Sequence, residues 1–277
     1  METNECKDEV KKDKKGKKRK LQLFLKDVAK ENRKYARSIG SENWPSSVKL
    51  HIEVIQTNPL SQSLIIYKPE IVIKAETTEE SLRRIKLENP KAVVTLLSFG
   101  NSRRTGGSYK EGAQYQEECL CYSAPLLYNS LREIEYPFDH THELLMTTNV
   151  SFTRNSNRNY ETETEEKSPI ANVITAAAPD RRESVEDDDT PEQILALLDA
   201  IVKLPLLVDD TNVTTHLILG SFGNGSFQNC PFEMATLFTK VLEKYMQYYQ
   251  QIIFAIPDEN SDNYQVYNSI IGTFIQQ

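Results

Sequence analysis

Two adjacent glutamates, Glu117 and Glu118, follow a pair of adjacent glycines, Gly106 and Gly107, in the segment "TGGSYKEGAQYQEE" (105–118). These carboxylates are either proton-transfer groups or solvated side chains in the first turn of a helix, where negative charge is favoured. Successive helix residues point about 100° apart, so the two carboxyls cannot face each other across one bond. Glycosidases that use two carboxyls place them about 5–10 Å apart, on opposite sides of the scissile bond. The adjacent pair therefore predicts divided labour, in which one carboxyl orients a sugar hydroxyl and the other transfers the proton.

Glycine loops at two predicted strand ends are candidates for binding an anion. They are "SFGNSRRTGGS" (98–108) and "LGSFGNGSFQN" (219–229), in a chain with only ten glycines. Glycine-rich backbone before a helix offers free N–H groups and a positive dipole end. Neither loop has the spacing of a P-loop or of a dinucleotide fingerprint, and either one alone could be a tight strand–helix turn. Together they favour a phosphate or diphosphate ligand, with Phe222 and Phe227 either walling a ribose or base or packing in the core.

Composition places the chain among globular proteins and excludes several classes. The 277 residues are 39% hydrophobic and 26% charged, and the net charge of −7 argues against general nucleic-acid binding. No apolar run approaches the length of a membrane helix, and the charged N-terminus is unlike a secretory signal peptide. The four cysteines form no CxxC pair, which is typical of a reducing compartment, and the histidines are too sparse for a zinc site. We therefore expect an intracellular protein, cytoplasmic or nuclear, with no membrane partner, metal or cofactor.

The charge is unevenly distributed along the chain. Residues 1–20 hold nine Lys/Arg against five Asp/Glu, a local net of +4 that leaves −11 for the remainder. The run "KKDKKGKKRK" (11–20) is either a nuclear-import or RNA-contacting segment or a solvated disordered tail.

Hydrophobic periodicity predicts alternating strands and helices. Strands are predicted at 47–54, 70–75, 92–99, 144–152, 172–179, 215–222 and 251–257. Helices are predicted at 21–39, 77–89, 115–131, 191–204, 231–249 and 263–275. Thr77 with Glu80 forms a capping-box pattern, and Pro191 after Thr190 is a typical helix start. This alternation predicts an α/β fold whose sheet is at least partly parallel.

Three segments, in the same order, resemble microbial-type poly(ADP-ribose) glycohydrolases. They are "LSFGNSRRTGGSYKEGAQYQEECLCYSAPLLYNSL" (97–131), "NVITAAAPD" (172–180) and "LILGSFGNGSFQNCPFEMATLF" (217–238). The likeness extends over about residues 20 to 257. It implies a three-layer, macrodomain-like mixed sheet with helices on both faces, preceded by a helical N-terminal extension. The implied division is a disordered basic tail (1–20), a helical and strand extension (21–90) and a macrodomain-like catalytic domain (91–277).

The resemblance also implies a role for each matching residue. Glu118 matches the acid that protonates the leaving ribose oxygen and then activates water, and Glu117 matches the residue that fixes the ribose hydroxyls. The residues that match ligand-binding positions are Asn101, Gly106, Gly107, Ser108, Gln116, Gly220, Gly223, Asn224, Gly225, Ser226 and Phe227. The implied ligands are ADP-ribose, poly(ADP-ribose) and ADP-ribosylated proteins.

The chain departs from the family pattern at several of these positions. Thr105 stands where proline is usual and Ser108 where a third glycine is usual, while Phe222 and Asn224 replace a tryptophan and a cysteine. If position 108 needed a positive φ, serine would add strain of about 1–2 kcal/mol. Two alternatives to polymer hydrolysis therefore stay open: a reader that binds ADP-ribose without cleaving it, and a hydrolase of mono-ADP-ribose or ADP-ribose 1″-phosphate.

Overall fold

The structure is a computed structural model that describes residues 4–182, 189–207 and 213–276, with the backbone alone for residues 4–14. The strands are β1 (Ser47–His51), β2 (Glu70–Lys74), β3 (Val94–Phe99), β4 (Glu143–Ser151), β5 (Arg154–Asn155), β6 (Glu161–Thr162), β7 (Ile170–Ala176), β8 (His216–Leu219) and β9 (Gln251–Ala255). The helices are α1 (Asn4–Ile39), α2 (Ile52–Thr57), α3 (Thr78–Glu88), α4 (Gln116–Ser123), α5 (Leu127–Leu131), α6 (Pro191–Lys203), α7 (Pro231–Tyr245) and α8 (Asp262–Ile275). No described helix has both the length and the apolar character to cross a membrane.

Seven of the strands form one mixed sheet in the order β1-β4-β7-β3-β8-β9-β2. The five strands from β7 to β2 run parallel to one another. Strand β4 is antiparallel to both β7 and β1. Strands β3 and β8 are adjacent and parallel, so the two glycine loops that follow them emerge side by side at the carboxyl ends of these strands.

Helices cover both faces of the sheet, and consecutive strand residues alternate between the two cores. On β3, Leu97 packs with the core of α2, α6, α7 and α8, while Leu96 packs with that of α1, α3 and α4. This alternation follows from the two-residue period of a strand that is buried on both faces. The three-layer α/β arrangement inferred from the sequence is confirmed.

Both predicted helix starts are confirmed in atomic detail. Thr77 and Glu80 form a reciprocal capping box at α3. Thr190 and Gln193 do the same at α6, where Pro191 occupies the first turn. These caps satisfy N–H groups that a helix leaves unpaired at its start.

Two predicted elements differ in extent. The strand predicted at 47–54 ends at His51, because Ile52 and Ile55 lie three residues apart on one face of α2 and are buried in the core with α6. The single helix predicted at 115–131 is two helices, α4 and α5, separated at Pro125. Proline has no N–H to continue the helical ladder.

The N-terminal segments also differ from their predicted organisation. The segment 4–20, expected to be disordered, continues helix α1, and lysine and arginine are good helix formers. Residues 1–3 of that tail lie outside the described residues. Strands β1 and β2, assigned to an extension before residue 91, form the two edges of the main sheet. The sheet therefore joins the two segments that the predicted boundary separates.

Candidate active site

A cavity of about 340 Å³ opens at the carboxyl ends of the central strands β3, β7 and β8. One wall comes from the loop after β3 and the first turn of α4, with Asn101, Gly107, Ser108 and residues 115–118. The other comes from the loop after β8, with Ser221, Phe222, Gly223, Gly225, Ser226 and Phe227. Its volume lies in the range of small-molecule sites, and its place at the strand ends is where open α/β sheets bind ligands.

Gln116 fixes the start of α4 against the end of β3. Its Oε1 accepts a hydrogen bond from the N–H of Phe99 at 2.8 Å, and its Nε2 donates to the carbonyl of Leu97 at 2.7 Å and to Oγ1 of Thr78 at 3.1 Å. Both ends of the amide are thus used within the protein. Gln116 lines the cavity, but these bonds make it the clamp that positions the next two residues.

Glu117 is buried, with 3% of its surface exposed. Its Oε2 accepts a hydrogen bond from the N–H of Asn101 at 3.0 Å, while its Oε1 has no partner among the described residues. Burial raises the pKa of this carboxyl well above its ordinary value, and the neighbouring Glu118 raises it further. A buried polar atom without a partner is costly, and such an atom in a native fold calls for an explanation beyond packing.

Glu118 is also buried, at 4% exposure, and is held from the glycine turn. Its Oε1 accepts a hydrogen bond from the N–H of Ser108 at 2.8 Å, and its Oε2 has no partner in the described part of the chain. Burial raises the pKa of Glu118, against the lowering effect of the Ser108 amide. A raised pKa favours the protonated form of a carboxyl, which is the form that a general acid needs.

The glycine turn is shaped to admit both carboxyls. Gly106 and Gly107 have φ of 62° and 54°, a left-handed conformation that suits glycine. A β-carbon on Gly107 would lie 2.5 Å from Oε1 of Glu118 and 3.1 Å from Oε2 of Glu117. Ser108 has φ of −103°, so the condition for strain at this position, a positive φ, is not met. A serine fits here because L-residues readily adopt a negative φ.

The loop after β8 is built around Gly223 and Asn229. Gly223 has φ of 76°, and a β-carbon there would meet the side chains of Ala178 and Asn229, each at 2.6 Å. The Nδ2 of Asn229 donates to the carbonyls of Pro179 at 2.8 Å and Gly223 at 3.1 Å. This side chain, buried at 3% exposure, joins the loops that follow β7 and β8.

Three predicted ligand-binding residues do not line the cavity. Gly106 packs against Tyr128, and Gly220 lies against the ring of Phe99. Asn224 uses its side chain within the fold, accepting from the Tyr267 hydroxyl at 2.9 Å and donating to the carbonyl of Asn229 at 3.1 Å. The structure brings together the other predicted residues, which are Asn101, Gly107, Ser108, Gln116, Glu117, Glu118, Gly223, Gly225, Ser226 and Phe227.

Tyr115 and Arg182 line the cavity but were not predicted from the sequence. Tyr115, which is 63% exposed, lines the cavity one residue before Gln116. Arg182 also lines the cavity, with its guanidinium carbon 5.2 Å from the centre of the Phe227 ring. Two sequence signals could have identified them. One is a single aromatic residue just before Gln116, and the other is an arginine shortly after the Ala-Pro-Asp segment that follows β7.

Two cysteines, Cys119 and Cys121, follow the glutamates on α4. Cys121 is buried and Cys119 partly buried, and burial raises the pKa of both thiols. Among the described residues, no cluster of three or more His, Cys, Asp or Glu side chains is arranged to hold a metal ion.

The mixed sheet with helices on both faces and a cavity at its strand ends describes a macrodomain-like α/β protein. A family model described as "Microbial-type PARG, catalytic domain" matches residues 2–155, which is more than half of the chain. The chain therefore belongs to the microbial-type poly(ADP-ribose) glycohydrolase (PARG) family. No curated protein sequence matches it.

Solved structures of bacterial PARGs share its fold. The PARG from Thermomonospora curvata has a TM-score of 0.72 at 21% identity, covering 90% of this chain and 98% of that one. The same protein bound to the inhibitor ADP-HPD gives a TM-score of 0.68 at 18% identity, covering 88% and 98%. The PARG from Deinococcus radiodurans in complex with ADP-ribose gives 0.63 at 22% identity, covering 82% and 94%.

Proposed function

We propose that the protein hydrolyses the O-glycosidic ribose–ribose bond of poly(ADP-ribose) and releases ADP-ribose. In this mechanism Glu118 protonates the leaving ribose oxygen and then removes a proton from the attacking water. Glu117 orients the hydroxyls of the distal ribose, and the loop with Gly223, Gly225 and Ser226 holds the diphosphate.

The observation that carries the proposal is the state of Glu118. Glu118 lines the cavity. One of its carboxyl oxygens accepts a hydrogen bond from the Ser108 N–H, and the other has no partner among the described residues. Its raised pKa favours the protonated form that a general acid needs. A merely structural carboxylate would be expected to have both oxygens satisfied.

Glu117 supports the division of labour. It is the more buried of the two and is bonded to the backbone of Asn101 on the first loop. Its free Oε1 is suited to accept a hydrogen bond from a ribose hydroxyl. Holding that ribose in place next to Glu118 would lower the entropic part of the activation barrier and so speed the chemical step.

The second ligand wall supports a nucleoside diphosphate. Phe227 lines the cavity beside Arg182, and a planar aromatic paired with a cation suits a base and its phosphates. The D. radiodurans relative is described in complex with ADP-ribose, and the same ligand is proposed here.

The reader alternative loses its main motivation. It rested on the departures at Ser108 and Thr105, yet Ser108 has a negative φ of −103° and still donates its N–H to Glu118. No observation in the described residues favours a mono-ADP-ribose or ADP-ribose 1″-phosphate hydrolase over polymer hydrolysis.

The experiment is release of ADP-ribose from purified polymer by wild type, Glu118→Gln and Glu117→Gln. We expect Glu118→Gln to lose at least about a hundredfold in kcat/KM, the usual contribution of an acid–base group, and Glu117→Gln to lose about a hundredfold because the ribose is misplaced. Glu192→Gln is the matched control, because Glu192 lies in the first turn of α6 and is exposed. Full activity of Glu118→Gln would exclude the proposed mechanism, and tight calorimetric binding of ADP-ribose by an inactive wild type would establish the reader.

A further inference from the structure

A second depression adjoins the active-site cavity on the side of the glutamates. It has a volume of about 590 Å³ and lies between α1 and the segment that precedes α4. Its lining includes Lys17, Lys18, Gln22, Gly112, Gln114 and Tyr115. Tyr115 lines both this depression, here called the α1 groove, and the active-site cavity.

Close packing fixes helix α1 relative to the catalytic loop. Gly112 has φ of 77°, and any side chain there would collide with the backbone carbonyl of Gln22. The Gln22 amide donates to the carbonyl of Glu111 at 2.9 Å. Further along α1, the buried Asn32 donates to the carbonyls of Cys121 at 3.2 Å and Tyr122 at 3.0 Å in α4. The groove and the proposed acid Glu118 therefore belong to one packed unit.

The groove has a positive rim on an acidic protein. Five of the six residues from 15 to 20 are Lys or Arg, and all six are exposed, whereas the whole chain carries a net charge of −7. A local cluster of one sign on an oppositely charged surface attracts anions selectively to that place. Of these residues, Lys17 and Lys18 line the α1 groove.

The position of the groove matches the path of a leaving polymer. A terminal ADP-ribose with its diphosphate on the loop after β8 presents its distal ribose to Glu118. A polymer that continues beyond Glu118 on the side away from that loop would pass Tyr115, the residue that lines both spaces. The next unit of the polymer, with its own diphosphate, would reach the α1 groove.

We propose that the α1 groove is a second polymer subsite, in which Lys17 and Lys18 bind the diphosphate of the penultimate ADP-ribose unit and Tyr115 stacks on its base or ribose. This proposal rests on the proposed function for the direction in which the polymer runs. Aromatic and cationic side chains beside one another form the usual platform for single-stranded, phosphate-linked polymers.

The test compares the double variant Lys17→Gln/Lys18→Gln with Lys30→Gln/Lys34→Gln. The second pair carries the same charge change on exposed positions of α1 outside the groove. Binding of fluorescent poly(ADP-ribose) and of monomeric ADP-ribose is measured in the Glu118→Gln background, which prevents cleavage during the titration. We expect the groove variant to bind polymer about tenfold more weakly, and its log–log salt slope to fall by about 1.4 for two lost phosphate contacts. Its affinity for monomeric ADP-ribose should match that of the control, because the monomer does not reach the groove.

Three outcomes would overturn the groove proposal. They are wild-type polymer affinity in the groove variant, an equal loss in both lysine pairs, and equally groove-dependent binding of single-stranded DNA with the same number of phosphates. The last outcome would assign the groove to nucleic acid. If wild type releases no ADP-ribose but polymer affinity still depends on Lys17 and Lys18, the glycohydrolase proposal fails and the subsite stands.

Discussion

The N–H of Ser108 donates a 2.8 Å hydrogen bond to Oε1 of Glu118, so the main chain of the residue after the glycine pair holds the proposed acid. The side chain at position 108 is not needed for this contact. What the position requires is a free N–H aimed at the carboxyl and a backbone that any L-residue can adopt, and its φ of −103° meets the second requirement.

Restoring glycine at this position is therefore expected to change little. Ser108→Gly keeps the N–H and removes only a side chain at the cavity wall, so kcat/KM should stay within about threefold of wild type. The free energy of unfolding should fall by about 0.5–1 kcal/mol, because glycine is more flexible in the unfolded chain. Steady-state kinetics and urea unfolding measure both. A large gain in activity would mean that serine obstructs the substrate.

Gly107 is expected to tolerate no side chain. In Gly107→Ala the new methyl would lie 2.5 Å from Oε1 of Glu118 and the residue would keep a left-handed φ. We expect about a hundredfold loss of kcat/KM from displacement of the acid and a loss of about 1–2 kcal/mol in stability. Gly272→Ala is the control, because nothing lies within 4 Å of its added carbon and α8 should gain from alanine. Unchanged kinetics in Gly107→Ala would contradict the role of the turn.

Glu117 is expected to make stability depend on pH. Its pKa in the folded protein lies well above the ordinary 4.5, so the folded state binds this proton more tightly than the unfolded chain. Stability is therefore greatest below about pH 4.5 for this group and falls as the pH rises towards the raised pKa. Glu117→Gln removes that loss and should be more stable than wild type by about 1–3 kcal/mol at pH 8, but not at pH 4. Thermal unfolding across this range, with Glu192→Gln as control, measures the difference; parallel curves would refute it.

Asn229 is expected to join the two loops of the ligand wall. Asn229→Ala removes the donor to the Pro179 carbonyl and one of the two donors to the Gly223 carbonyl, which also accepts the N–H of residue 229 at 3.1 Å. We expect a loss of about 1–3 kcal/mol in unfolding free energy, together with weaker ADP-ribose binding. Asn43→Ala, at an exposed position, serves as the control. Loss of stability with unchanged affinity for ADP-ribose would show that the loop after β8 keeps its conformation without the Asn229 side chain.

Arg182 is expected to contribute to diphosphate binding. The Arg182 side chain lines the cavity and lies over the Phe227 ring. Arg182→Gln should weaken ADP-ribose binding about tenfold, the loss of one charge-assisted contact, and should reduce its salt dependence. Calorimetry at two salt concentrations measures this, with the exposed Arg37→Gln as control. An unchanged salt dependence would place Arg182 outside the diphosphate site.

The local hydrophobic pattern predicted most of the fold, because a strand that is buried on both faces has a continuous run of apolar residues. The apolar run of β3 and the caps at Thr77 and Thr190 are determined by neighbours within a few residues. The helix α2 was missed because Ile52 and Ile55 suit a strand as well as a helix until α6 packs on them. Short apolar runs carry this ambiguity in general.

The site was less predictable where it depends on contacts across the chain. The glutamates and both glycine turns could be identified from their order. Asn224, in contrast, matched a ligand-binding position, yet its side chain binds Tyr267, a partner 43 residues away. The role of Asn229 likewise depends on Pro179, 50 residues earlier, and no local spacing records such a contact.

The edge strand β2 has a consequence for how the protein is made. It pairs with β9, and the facing residues Glu70 and Gln251 are 181 positions apart. During synthesis on the ribosome, the apolar segment Ile71–Val72–Ile73 therefore has no sheet partner until β9 has been made, near the end of the sequence. An unpaired apolar strand is a template for aggregation, and such distant pairing slows folding. The yield of soluble protein should then depend on how quickly β9 follows β2, and on chaperones that cover β2 in the interval.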